Sequence, residues 1–241
     1  MKTAIKPIII LLFFFSFMPV FGFKFSPISM DFSSSGRESV RNFTALNDTA
    51  ETIALKITVF KRSMATDGAE VLDDAGEDFV VFPTRIVLKP DNKQTIRVQY
   101  RGPEIGNIEQ AYRIIVEQVP VQFEENELAG GLRILFRYVG SLYVVPDKRS
   151  LDVVVDEITA NTEDNTLSVL IHNRGNSHVI LQDLSLILSY GGTSVRIGPE
   201  DLPDLNGTNI LAGATRLYSI SRPDIPASEV ITGELEFTPV Q

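Results

Sequence analysis

The chain has no cysteine and only two histidines, His172 and His178, among its 241 residues. No disulfide can form, so hydrophobic cores must carry its stability. A zinc site would need both histidines together with carboxylates, because no thiolate ligand exists. His172 lies in an apolar stretch and His178 follows the turn Asn173-Arg174-Gly175-Asn176; both read as structural. No glycine-rich phosphate loop stands between a strand and a helix. Nothing in the order of residues assembles a nucleophile, a base and an orienting group. An enzyme is not expected, and neither a metal nor any other cofactor is implied. The acidic pairs Asp73-Asp74 and Glu77-Asp78 read as solvated loop charges, with a calcium site as the minor alternative. Positive charge is also scarce: 22 Lys and Arg against 31 Asp and Glu give a net charge of −9. Such a surface argues against nucleic acid as a partner.

Long apolar runs are confined to the beginning. A short basic start containing Lys2 and Lys6 precedes the apolar run Ile8 to Phe17, and Pro19-Val20-Phe21-Gly22 puts small residues near a plausible cleavage point. Residues 1–22 therefore read as a signal peptide. No later segment is long and apolar enough to span a bilayer, so stable membrane insertion is not expected. Export without cysteines fits a bacterial envelope better than an animal extracellular space, where small modules are often stapled by disulfides.

What remains reads as strand and turn. Ile53 to Phe60, Arg85 to Leu88, Thr95 to Tyr100 and Tyr112 to Val119 are rich in β-branched and aromatic residues and are separated by turn signals such as Lys89-Pro90-Asp91-Asn92. A second series begins after Asp147-Lys148-Arg149 and runs through Leu151 to Val155, Leu167 to His172, Val179 to Leu181, Leu184 to Leu188, Arg216 to Ile220 and Glu234 to Phe237. No sustained amphipathic helix stands out. The pattern predicts an all-β protein of two immunoglobulin-like β-sandwich domains. The first spans residues 23–146, a linker 147–150, and the second 151–241.

The most informative stretch is Gly130 to Pro146, read as one long strand. Leu132, Ile134, Phe136 and Tyr138 place a bulky apolar row on one side, with Arg133 and Arg137 between them. Leu135 makes the middle apolar on both faces. Two readings follow: a central strand buried on both faces, or a strand that offers its row to a partner.

Taken together, the segments resemble the periplasmic pilus-assembly chaperones of the chaperone–usher pathway. The resemblance rests on Phe25 to Phe32 as an opening strand, on Phe82-Pro83 to Pro90 followed by Gln94 to Val98, on Glu109 to Pro120 as a sixth strand, and on Leu132 to Pro146 as a seventh. The pair Tyr112-Arg113 and the turn Asn173 to His178 are similar to the archaic branch. The resemblance implies a periplasmic chaperone, engaged in pilus assembly, that binds pilus subunits by donor-strand complementation and delivers them to an outer-membrane usher. Pilus subunits lack their last strand, and the chaperone lends its own. Leu132, Ile134 and Phe136 match the donor row, with Tyr138 as an extension, each contributing roughly 1.5–3 kcal/mol when buried.

The family usually anchors the subunit's terminal carboxylate with a basic pair, but Ser29 and Ser141 stand at the matching positions here. Arg113, and after it Arg97, are the substitute anchor candidates. Val145 likewise replaces the basic residue that often pairs, between the domains, with the acid matching Glu109. An exposed donor edge also allows self-association of the free protein, a second copy capping the strand. The alternative reading is a secreted two-domain adhesin, or structural surface protein, with a fully self-paired core.

Overall fold

The computed structural model describes residues 22–120, 134–161, 163–221 and 230–240; the expected signal peptide and the start of the donor row, Leu132, lie outside them. The chain is all-β, with two immunoglobulin-like sandwiches in succession. The first contains β1 (Phe23–Ser26), β2 (Ser29–Phe32), β3 (Val40–Asn47), β4 (Ile53–Met64), β5 (Glu70–Asp74), β6 (Phe79–Phe82), β7 (Arg85–Leu88), β8 (Lys93–Tyr100), β9 (Gln110–Val119) and β10 (Arg137–Val144). One sheet runs β1-β3-β8-β6, and the facing sheet runs β2-β10-β9-β4-β5, with β7 also paired to β4.

Period-two alternation builds the core. β3 turns in Phe43 and Ala45, β8 turns in Ile96, Val98 and Tyr100, and β9 turns in Tyr112, Ile114 and Val116. Aromatic rings make edge-to-face contacts at the centre: Phe79 lies 4.9 Å from Tyr112 and 5.2 Å from Tyr100.

The second sandwich contains β11 (Val153–Asn161), β12 (Thr166–Asn173), β13 (Val179–Tyr190), β14 (Thr193–Ile197), β15 (Asn209–Ile210), β16 (Thr215–Ser221) and β17 (Thr232–Val240). The sheet β11-β12-β16 faces one in which β13 pairs with β14 and β15 and also with β17. Its core is aliphatic, with Leu167, Val169, Ile171, Leu181, Leu184, Leu186 and Leu188 buried.

Several local readings are corrected. Of the strand expected over 130–146, residues 130–133 lie outside the described residues, 134–136 are not regular strand, and β10 runs from Arg137 to Val144. In the β9–β10 register Ile134 falls opposite Pro120, which has no N–H to donate, so the ladder cannot continue there. The strand expected over Ile53 to Phe60 runs further, because β4 continues to Met64 and returns as β5. Asp73 and Asp74 therefore stand on a strand rather than in a loop. Asp78 accepts the hydroxyl of buried Tyr112 at 2.9 Å; burial and this bond push the Tyr112 phenol far above its ordinary pKa.

Asn173 is the polar centre of the second domain. Fully buried, it directs Nδ2 at the carbonyls of Ser177 (2.8 Å), Ile210 (3.1 Å) and Leu211 (3.2 Å), while its Oδ1 accepts the Gly175 N–H (3.0 Å). Removing it leaves several buried backbone groups unpaired. Asn173→Ala is expected to cost about 2–4 kcal/mol, read as a lower urea midpoint for the second domain. A midpoint shift typical of a surface substitution would show that water replaces the amide.

Candidate functional site

The site begins with the backbone of β10. Antiparallel pairing alternates the direction of backbone groups. The Gln118 N–H donates to the Phe136 carbonyl at 2.9 Å, so Phe136, Tyr138 and Gly140 direct their groups at β9. Leu135, Arg137 and Val139 direct theirs to the opposite side. Further along, that side is occupied: β2 pairs in parallel with Ser141 to Val144, and the Ser141 N–H donates to Ile28 O at 2.8 Å. Among the described residues nothing pairs with the same edge from Leu135 to Val139. Gly140 sits where the two regimes meet. A Cβ there would lie 2.9 Å from Ile28 O and 2.9 Å from Ile114 Cγ2, so only glycine lets β2 approach.

The even-numbered side chains of β10 face the core and emerge from it gradually. Leu142 is fully buried and Tyr138 half-buried. The Tyr138 ring lies 4.8 Å from Phe23, and its hydroxyl donates to Phe23 O at 2.7 Å. Tyr138 is thus engaged within its own sandwich, closing the gap between β10 and β1. Phe136 packs against the edge of the same core, and Ile134 is 57% exposed. Leu135, Val139 and Ile28 are also exposed, giving an apolar strip along an open backbone edge.

The outer face of the same sheet carries a polar row. Arg113 on β9 is the cross-strand partner of Ser141, and Ser29 is the parallel partner of Ser141 on β2. Arg113 NH1 donates to Ser141 Oγ at 2.5 Å. Its Nε donates to Glu70 Oε2 at 3.2 Å, and its NH2 donates to the other Glu70 oxygen. Glu70 also receives Arg62 NH2 at 2.7 Å. Arg97 is not brought to this row: it stands exposed on β8, in the facing sheet.

Arg62 belongs to the same cluster, although the sequence does not single it out. Its side chain is only 4% exposed, and its Nε and NH1 have no partner among the described residues. Burial and the neighbouring Arg113 charge push its pKa down, against the pull of Glu70. Burial raises the Glu70 carboxyl, but Arg113 and Arg62 outweigh it and hold the group below the usual carboxylate range.

This row borders the contact between the domains. The side chain of Glu109 accepts both the His178 backbone N–H (3.1 Å) and His178 Nδ1 (2.8 Å). The imidazole stacks on Tyr143 at 3.7 Å, and Asn209 Nδ2 donates to the Tyr143 hydroxyl at 2.7 Å. Glu109 and His178 thus make a buried contact between the two domains. On the other side the loop joining β4 to β5 docks on β16, where the Leu217 N–H donates to Thr66 O at 2.8 Å. Gly68, at φ +87°, lies flat against Arg216; a Cβ there would fall 2.0 Å from the guanidinium carbon. His172, by contrast, forms a surface pair with Asp156.

Residues 32–149 match the family described as pili and flagellar-assembly chaperone, PapD N-terminal domain. No curated protein matches the chain in sequence. Among solved structures, the class 5 fimbriae chaperone CfaA is similar, with 17% identity and a TM-score of 0.57 over 90% of this chain and 98% of that one. The chaperone–tip adhesion subunit pre-assembly complex CsuC–CsuE, from the archaic chaperone–usher Csu pili of Acinetobacter baumannii, gives 15% identity and a TM-score of 0.57 over 83% and 90%. The Salmonella enterica complex of SafA pilin with the SafB chaperone gives 15% and 0.52 over 86% of both chains.

Because the Glu70 carboxyl titrates lower in the folded chain than in the unfolded one, its charge contributes stability above the unfolded value of about 4.3. That contribution is lost as pH falls through the lower folded value. Wild type should therefore exceed Glu70→Gln in stability at about pH 7, and urea midpoints should converge by about pH 2. A gap of the same size at both pH values would assign the difference to packing instead.

Proposed function

We propose that this chain, whose N-terminal domain belongs to the pili and flagellar-assembly chaperone family, captures pilus subunits through the open edge of β10 and delivers them to an outer-membrane usher. The observation that supports this most directly is the half-used strand. Ser141 to Val144 are paired on both sides, whereas the outward backbone groups of Leu135, Arg137 and Val139 have no partner among the described residues. A subunit lacking its last strand has the complementary defect. Pairing satisfies the backbone groups of both chains and demands little of sequence. Donor-strand complementation between chaperone and pilin is itself a standard case of β-strand addition.

Side chains then supply selectivity. Leu132, Ile134 and Phe136 fill the subunit's groove, while Tyr138 closes the lower end of the row from within its own domain. An adhesin with a self-paired core would bury Ile134, which instead stands in solvent. Arg113, with Ser141 and Ser29 beside it, receives the terminal carboxylate of the subunit. Charge assistance by a guanidinium makes such a bond about twice as strong as one from the serines alone. Buried Arg62 adds a second positive charge behind it. The archaic branch is supported by Tyr112-Arg113 and by the Asn173 to His178 turn. The periplasm is the compartment in which such a chaperone meets its subunits, consistent with the N-terminal segment. The free protein can cap the same edge with a second copy.

Co-expression with a candidate subunit tests the reading. Ile134→Asp places a charge in the groove and should lower subunit recovery at least roughly tenfold. Val139→Pro removes an outward N–H without touching the β9 ladder, because proline is tolerated at an edge position facing solvent. It should leave the thermal melt of the chaperone intact and still reduce recovery at least roughly tenfold. Normal recovery with both variants would exclude pairing along this edge.

A further inference from the structure

We infer that Glu70 is a resident carboxylate that occupies the anion site of Arg113 in the free protein and must be displaced by an incoming carboxylate. The inference rests on the reading of Arg113 as the anchor and adds a gate to it. Glu70 sits on β5, the edge strand of the sheet, and reaches Arg113 across β4. It takes the side-on fork of the guanidinium, Nε to one oxygen and NH2 to the other. This is the bidentate geometry that a free carboxylate would seek. NH1 is committed to Ser141 at the same time. The most exact docking position on Arg113 is therefore already filled by a carboxylate of the chain itself.

The cluster is nevertheless not neutral. One carboxylate faces two guanidinium groups, and buried Arg62 retains two N–H groups without partners among the described residues. A second carboxylate entering the site would find uncompensated positive charge and unused donors. Glu70 is about one-third exposed, so its carboxylate can swing toward water. Displacement thus exchanges one anion for another on Arg113. Because Glu70 Oε1 also receives Arg62 NH2, the incoming carboxylate takes over the compensation of both guanidinium groups when Glu70 leaves. A gate of this kind discriminates between ligands: a free carboxylate can compete for the fork, whereas a neutral amide end cannot.

Acetate serves as the probe. Melting temperatures of wild type, Glu70→Gln, Glu70→Asp and the double variant Glu70→Gln/Arg113→Ala are measured in increasing acetate, against chloride at equal ionic strength near neutral pH. Ligand that binds only the folded state raises the melting temperature with concentration. Glu70→Gln should bind acetate about tenfold tighter than wild type. Glu70→Asp, which withdraws the charge by one methylene, should show a smaller rise of the same sign and keeps the test usable if the glutamine variant folds poorly. The double variant should lose the rise. Absence of an acetate-specific rise in both single variants would overturn the inference, as would a rise equal to that of wild type or one that survives loss of Arg113. The anchor reading fails separately: Arg113→Ala would then leave subunit recovery unchanged whatever acetate does.

Discussion

The backbone edge of β10 is the constraint on which the rest depends. A strand buried on one side by β9 has a second row of N–H and C=O groups that must go somewhere. The chain satisfies half of that row with β2, and among the described residues nothing pairs with the other half. Two local features set the boundary. Gly140 permits β2 to come close, and the Tyr138 ring and hydroxyl fasten β10 to β1 just beyond it. Together they keep the open segment attached to a rigid sandwich while its apolar side chains rise toward solvent. An exposed apolar edge is an aggregation hazard in most proteins. In the proposed function it is the surface complementary to an incomplete partner.

The second constraint is the fixed relation of the two domains. Glu109, His178 and Tyr143 make a buried polar and stacked contact, and the β4–β5 loop makes another against β16. The polar row of Arg113, Ser141 and Ser29 lies on the face of the sheet that borders this contact. Tyr143 belongs to the junction and Ser141, two residues earlier on the same strand, belongs to the row. The domain contact and the polar row are therefore built on one β-strand. A shift at the junction would be transmitted to the row through rigid backbone rather than through a loop.

The polar row draws its charge from strands other than those that carry Ser29 and Ser141. Serines at 29 and 141 cannot hold a carboxylate with the strength of charged donors. Positive charge comes instead from the neighbouring strands β9 and β4, and Glu70 on β5 keeps two guanidinium groups together. Unpaired, Arg62 at its depth would be costly. Its pairing with Glu70 explains how it can lie there while leaving donors unused.

Much of this was legible before any coordinates. The absence of cysteine, the turn signals and the period-two runs specify two all-β domains, because strand patterning depends on neighbours in sequence. The apolar alternation around Ile134 and Phe136 was visible for the same reason. The sequence alone did not decide where β10 starts, because that depends on Pro120 lying opposite Ile134. Nor did it show that Tyr138 turns inward, since its partners Phe23 and Phe25 are more than a hundred residues away. The place of Arg62 depends on β5 folding back beside it, and that of His178 on Glu109 meeting it across the domain junction. Sequence determined the periodicity of each strand. Only the tertiary structure decided which edge stayed open and which charges met, because both are properties of pairs brought together by folding.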